Sequence, residues 1–379
     1  MDSSSSSRTQ LVVAALAGAG VATLLHRLMA TGGAPSGSLA CGGGGGGGGG
    51  GGSKRYLGID LGGTTVTVGI IDDSGAVLHK DSEPLTDKSF EAVTGLIVAL
   101  SRKVMGAAGL SAADLTAAGV GSPGNLDFDK GVVKNAAAFP WIDAPIADVI
   151  SAGLGGVPTV LENDANAALL AEWWAGAGAG ADVKHIVMLT LGTGIGGGIV
   201  SDDRLIRGAT GMAGELGHVI VEPHVGRATK GRLCAGTNVH GVFERYASAS
   251  AVAQRAVDAL QAKGAKGSSL HALGAAVTAK DVFEHAAAGD AVAAELVEHT
   301  AEYLAVGAIN ACRAFDPQVI VMTGGLALSG DQLFSRVQKY FDQHHWSIQP
   351  ATCVIVPAKT GNAAGMIGAA AAARMRYGM

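Results

Sequence analysis

"YLGIDLGGTTVTVGIIDDSG", residues 56–75, sets a strand, a glycine turn and a second strand in immediate succession. Tyr56–Asp60 and Val66–Asp72 are rich in aliphatic and β-branched side chains, and Asp60 is the first charge met as the chain reaches the bend. A third strand, Ala76–Lys80, follows the Asp-Ser-Gly turn. A later stretch, "LTLGTGIGGGIV" at Leu189–Val200, repeats the plan. Strands at His185–Leu191 and Gly198–Ser201 flank its glycines, and Arg204–Ile206 reads as a third strand. Two halves that each open strand, glycine turn, strand, turn, strand predict a duplicated α/β unit with a cleft between the copies.

Helical and strand signals alternate around these hairpins. Phe90, Val93, Leu96, Ile97, Leu100 and Val104 recur at helical spacing, and a further helix is expected around Ile146–Ile150. Ala117–Gly121 is a strand ending in "GSPGN". Thr159–Leu161 is a strand leading through Asn163 and Asp164 into a helix over Ala165–Trp174. In the second half, helices are expected over Val242–Leu260, Ala291–Phe315 and Ala363–Arg376, with buried strands at Pro317–Gly325 and Thr352–Val356. The expected division is a low-complexity extension (1–53), an N-terminal α/β domain (54–180) and a C-terminal α/β domain (181–379). The last helix is expected to pack back on the first domain.

Composition narrows the function classes. The 379 residues are 48% hydrophobic and 16% charged, enough for sizeable cores. A net charge of −5, with no run of Lys and Arg, argues against a nucleic-acid surface or a polybasic membrane patch. The four cysteines are dispersed with no C-x-x-C spacing, as expected of free thiols in a reducing compartment. Residues 1–53 are a different material: serines at Ser3–Ser7, an apolar run Leu11–Leu25 shorter than the ~20 residues of a spanning helix, and a glycine run from Gly42 to Gly52. They read as a targeting segment with a glycine linker, as a signal anchor, or as a plain low-complexity tail, and membrane contact is expected only through them. The location expected is intracellular, cytoplasmic or organellar (plastid or mitochondrion), and not secreted.

Gly192-Thr193-Gly194-Ile195-Gly196-Gly197 satisfies G-x-G-x-x-G, but a dinucleotide fold needs a helix next and a strand follows instead. Glycine hairpins fit better as backbone N–H cradles for phosphate oxygens. Asp60 at the edge of the first hairpin is a Mg²⁺ partner through water or a turn-capping aspartate. Asn163-Asp164, at a strand end, is a general base with its neighbour or a simple helix cap. Glu215 and His218, in "GMAGELGHV", can hold a polyol by charge-assisted hydrogen bonds or be a satisfied carboxylate and histidine in a glycine loop. Glu244 opens a helix, where a first-turn acid is favoured by the helix dipole.

"GIDLGGT", "GVGSPG", "ENDANAA", "LTLGTGIGGGIV", "GMAGELGHV", "ERYASASA", "FDPQVIVMTGG" and "NAAGMIGAA" occur in the order found in the ROK family (repressor, open reading frame, kinase). From Tyr56 to Ala373 the chain resembles that family's glucokinase-like sugar kinases. The resemblance implies the two-domain actin-like ATPase (ribonuclease H-like) fold with an interdomain cleft, and ATP-dependent phosphorylation of a hexose with Mg²⁺. Glucose is the first expected acceptor. The alternatives are an N-acetylhexosamine or fructose kinase, or a catalytically inactive sugar-binding regulator; a DNA-binding repressor is not expected, because no basic recognition helix precedes the match. By the same resemblance Asp164 is the general base, and Asn163, Glu215, His218 and Glu244 hold the sugar. Gly62, Gly63, Thr64, Gly192, Thr193, Gly194, Gly324 and Gly325 hold ATP, with Asp60 beside Mg²⁺, and a homo-oligomer is expected.

The sequence departs from the family pattern in three respects. The usual zinc loop, C-x-C-G-x-x-G-C-x-E, has Ala235, Thr237 and Val242 where its cysteines belong, so zinc is not expected; Cys234 is next door, and His218, His224 and His240 are nearby. The Asn usually four residues before the tryptophan, here Trp141, is Ala137, with Asn135 close by. Thr65 follows Gly-Gly-Thr where Lys is common.

Overall fold

A computed structural model describes residues 54–180, 182–223, 232–261, 265–346, 348 and 352–378. The expectations for residues 1–53, and His224, lie outside the described residues. The described chain divides into two units: residues up to Asp182 together with those from Asn362 onward, and Val183–Gly361.

The first unit opens with β1 (Arg55–Leu61), β2 (Thr65–Asp72) and β3 (Val77–Pro84), followed by helix α1 (Phe90–Ala107) and β4 (Ala117–Ser122). A three-stranded meander comes next: β5 (Asn125–Asp127), β6 (Val132–Ala136) and β7 (Phe139–Ala144). Then come α2 (Ile146–Gly153), β8 (Thr159–Asn163) and α3 (Asp164–Ala175). The main sheet runs β3-β2-β1-β4-β8, antiparallel through its first three strands and parallel from β1 to β4 to β8.

Strand alternation assigns the two faces of this sheet. Leu57, Ile59 and Leu61 of β1, with Ala118 and Val120 of β4, join the core formed with α1 and α2. Gly58 and Gly119 take the other face, against the last helix of the chain, α9 (Ala364–Tyr377). A Cβ at Gly58 would collide with the Met366 carbonyl, one at Gly119 with that of Ala369, and one at Gly368 with that of Ala167 in α3. Backbone rather than side chains therefore sets the spacing here, which explains why α9 is Ala- and Gly-rich.

The second unit reproduces the order. It contains β9 (Ile186–Leu191), β10 (Ile195–Ser201), β11 (Arg204–Leu205), the small hairpin β12 (Leu233–Cys234) and β13 (Val239–His240), then helices α4 (Glu244–Ala247), α5 (Ala249–Gln261), α6 (Ala279–Ala287) and α7 (Ala291–Phe315). β14 (Val319–Thr323), α8 (Asp331–His344) and β15 (Val354–Pro357) follow. The sheet is β11-β10-β9-β14-β15, with the same antiparallel and parallel pairings as the first. The expected duplicated α/β unit is thus present strand for strand. One expected element differs: the single helix over Val242–Leu260 is two, because Ser248 is extended (φ −77°, ψ 163°) and its hydroxyl caps the next helix by accepting from Ala251 N–H at 3.1 Å.

Candidate active site

Asp60 and Glu162 end up beside one strand, since both pair with Gly121 of β4: Asp60 from β1 and Glu162 from β8. They stand at the carboxyl ends of parallel strands, where open α/β sheets bind ligands. Asp60 lies on the α9 face, two residues beyond Gly58, and its carboxyl group rests directly on Gly365; any side chain there would overlap it. Among the described residues the Asp60 carboxylate accepts no hydrogen bond. Burial first, and the neighbouring charge of Asp164 second, raise its pKa above the usual carboxylate value. The turn after it is closed by Gly62 N–H on Thr65 O (3.0 Å) and by Leu85 N–H on Thr64 O (2.8 Å).

Asn163 caps α3: its Oδ1 accepts from the N–H groups of Ala165 (3.0 Å) and Asn166 (3.2 Å). Asp164 is the first helical residue, and its Oδ1 also accepts from Ala165 N–H, at 2.8 Å. Its side chain has an exposed face. Protein packed around the rest removes enough water to raise its pKa, against hydrogen bonds from Ala165 and Asn163 that lower it. A carboxylate accessible on one side and poorly solvated on the other suits a base.

One residue of this cluster had no role in the sequence reading. Glu162 is fully buried, and its Oε1 accepts from Asn163 N–H (3.0 Å) and from Asn166 Nδ2 (2.9 Å). The signal for it is a carboxylate at the end of an otherwise buried strand, "VPTVLEN".

In the second unit the glycine loop is a β-hairpin, not a strand followed by a helix. Leu191 pairs with Ile195, Gly192 N–H donates to Gly194 O (3.0 Å), and Gly196 N–H donates to the Thr190 hydroxyl (3.0 Å). The dinucleotide reading of G-x-G-x-x-G is excluded by that geometry, as the sequence reading expected. At the end of β14, Gly324 has φ +94° and Gly325 opens a turn of 3-10 helix.

The three second-unit residues expected to hold the sugar come from two local structures. Glu215 and His218 bracket a 3-10 turn, with Nε2 of His218 4.0 Å from Oε2 of Glu215. Glu244 opens α4; its Oε2 accepts from Ile195 N–H (3.4 Å) and its Oε1 from the Cys234 thiol (3.2 Å). The Cys234 contact is the other feature the sequence reading missed.

His218, Cys234 and Glu244 each offer one donor atom, all within 4.8 Å of one another. A closed structural zinc site takes four donors. Ala235, Thr237 and Val242 supply none, and among the described residues His240 stands outside the group. Among the described residues the set is one donor short, with His224 outside them, and the Cys234 thiol donates to Glu244. The described residues alone do not complete the four-donor zinc site of the usual family pattern.

A family profile described as "ROK family" matches residues 56–376. The glucokinase of Halalkalibacterium halodurans is 34% identical over 321 residues, covering 83% of this chain and 93% of that protein. The ROK hexokinase of Thermus thermophilus superposes with a TM-score of 0.71 at 32% identity, covering 86% of this chain and all of that one (100%). A Streptomyces griseus ROK glucokinase solved with glucose and AMPPNP gives a TM-score of 0.65 at 30% identity, over 85% of this chain and 99% of that one.

Proposed function

The chain belongs to the ROK family, and on that premise we propose that it is an ATP-dependent hexose kinase with glucose as its acceptor and Asp164 as its base. Its fold is the two-domain actin-like ATPase fold of those sugar kinases. The observation that carries the role of Asp164 is its setting: a partly exposed carboxylate at a strand end, with its pKa raised by lost water and its backbone fixed by the Asn163 cap. It accepts the proton of the attacking sugar hydroxyl while phosphoryl transfer proceeds. Such transfer depends more on positioning and charge stabilisation than on covalent chemistry.

Asn163, Glu215, His218 and Glu244 hold the remaining hydroxyls. The hairpins at Gly62-Gly63-Thr64 and Gly192-Thr193-Gly194, with the turn at Gly324-Gly325, present backbone N–H groups to ATP. Asp60 suits a hydrated Mg²⁺, since a half-buried carboxylate with no hydrogen-bond donor among the described residues and a second acid nearby favours a cation. Bound there, Mg²⁺ would neutralise phosphate charge.

The sugar preference rests on many hydroxyl acceptors in one set of residues. Ala137 lies in the β6–β7 turn and offers none, while Asn135 sits on β6 opposite Ile142. The test is kcat/KM for glucose against N-acetylmannosamine, N-acetylglucosamine and fructose. Glucose is expected to lead; a higher value for another sugar would overturn the acceptor and leave the kinase standing.

A further inference from the structure

We propose that Cys234 is a positioning residue for Glu244, its thiol orienting the carboxylate that receives the sugar; this rests on the reading of Glu244 as a sugar-holding residue. Glu244 is held at both oxygens. The Cys234 S–H donates to Oε1 at 3.2 Å and the Ile195 N–H to Oε2 at 3.4 Å. On the side of the glycine hairpin there is no slack: a Cβ at Gly194 would come within 2.6 Å of Oε2. Cys234 itself is 5% exposed, so water does not compete for its weak donor.

The hairpin that delivers the thiol is built from backbone pairing. Cys234 pairs with Val239, and the turn between them is closed by Asn238 at φ +56°. Gly241 N–H donates to Arg232 O (3.0 Å), Arg232 N–H to the Tyr246 hydroxyl (2.8 Å), and Phe243 N–H to Val219 O (2.8 Å). Tyr246 and Phe243 flank Glu244, so the same bonds fix the start of α4. Relatives of the usual pattern place metal-binding cysteines in this loop; here a hydrogen-bonded ladder and one thiol do the orienting. A carboxylate held before the sugar arrives loses less freedom on binding.

The thiol cannot serve both ways. Metal ligation needs the thiolate, whereas donation to Glu244 needs the proton on sulfur.

The test uses the full chain with Cys234→Ala, Cys234→Ser and Glu244→Gln, measuring glucose KM, ATP KM, kcat and zinc content. Cys234→Ala is expected to raise glucose KM about three- to tenfold, with kcat and ATP KM within about twofold. Serine, which keeps a donor, should restore most of the glucose affinity. An unchanged glucose KM in Cys234→Ala, while Glu244→Gln raises it, would overturn the inference alone. An unchanged KM in Glu244→Gln would instead overturn the reading of Glu244. Equal defects in the alanine and serine variants, or one zinc per chain lost with either, would also overturn it, by assigning Cys234 to packing or to metal.

Discussion

Asp164 and Asp60 are acids whose folded-state pKa values lie above the ordinary carboxylate value, for the same leading cause, lost water. The sign of the linkage follows. Between the ordinary pKa and the raised one, the unfolded chain releases protons that the folded chain still holds, so stability falls as pH rises through that window. At neutral pH both carboxylates therefore cost stability. Asp164→Asn is expected to lower kcat by roughly 10²–10⁴ while leaving the melting temperature unchanged or raised; Asn keeps an oxygen for Ala165 N–H. A variant of near-normal kcat would reduce Asp164 to a helix cap. The acid limb of kcat/KM should lie above the range of an ordinary carboxylate, about pH 4, and a limb at or below it would contradict the burial argument. Glu162 is a buried acceptor of two hydrogen bonds. Glu162→Ala strands the Asn163 N–H and the Asn166 amide, and should cost about 1–3 kcal/mol per group left unpaired, read as a lower denaturant midpoint. Asp60, Asn163 and Asp164 were legible in the sequence because strand, turn and cap are local patterns. The Cys234–Glu244 contact was not, because the two are ten residues apart and the β12–β13 hairpin has to fold before they meet.

At the scale of elements, both sheets could be read from glycine turns between apolar runs. The β5–β7 meander could not: β6 and β7 have exposed residues at their centres and the meander has two register shifts, so no clean alternation survives. The break at Ser248 was hidden because apolar spacing continues across it. The close seat of α9 was also invisible, since alanine and glycine say little about partners until the strands they touch are known. That seat is testable. Gly119→Ala places a methyl group on the Ala369 carbonyl, and backbone on both sides cannot yield cheaply. A loss of about 1–3 kcal/mol or more is expected from urea unfolding, with Asp60 disturbed through the shift of Gly365. An unchanged midpoint would mean that α9 does not lie against β4.

At the scale of the whole molecule, residues of the proposed chemistry come from both units. One presents Asp60, Asn163 and Asp164; the other presents Glu215, His218 and Glu244, and each has its own glycine hairpin. The family profile starts at residue 56 and the first sheet strand at Arg55. Deleting residues 1–53 is accordingly expected to leave glucose KM and kcat unchanged, and a fall in either would give the extension a part in catalysis. Among the described residues no helix is long and apolar enough to cross a membrane. The most direct test of the kinase itself is turnover of the full chain with ATP, Mg²⁺ and glucose, reading ADP and sugar phosphate together. Equal amounts of the two products are predicted with glucose, and none of either above background with 6-deoxyglucose, which lacks the acceptor oxygen. A folded chain that binds glucose yet forms no sugar phosphate from it or from any other hexose would contradict the account and leave a sugar-binding regulator in its place.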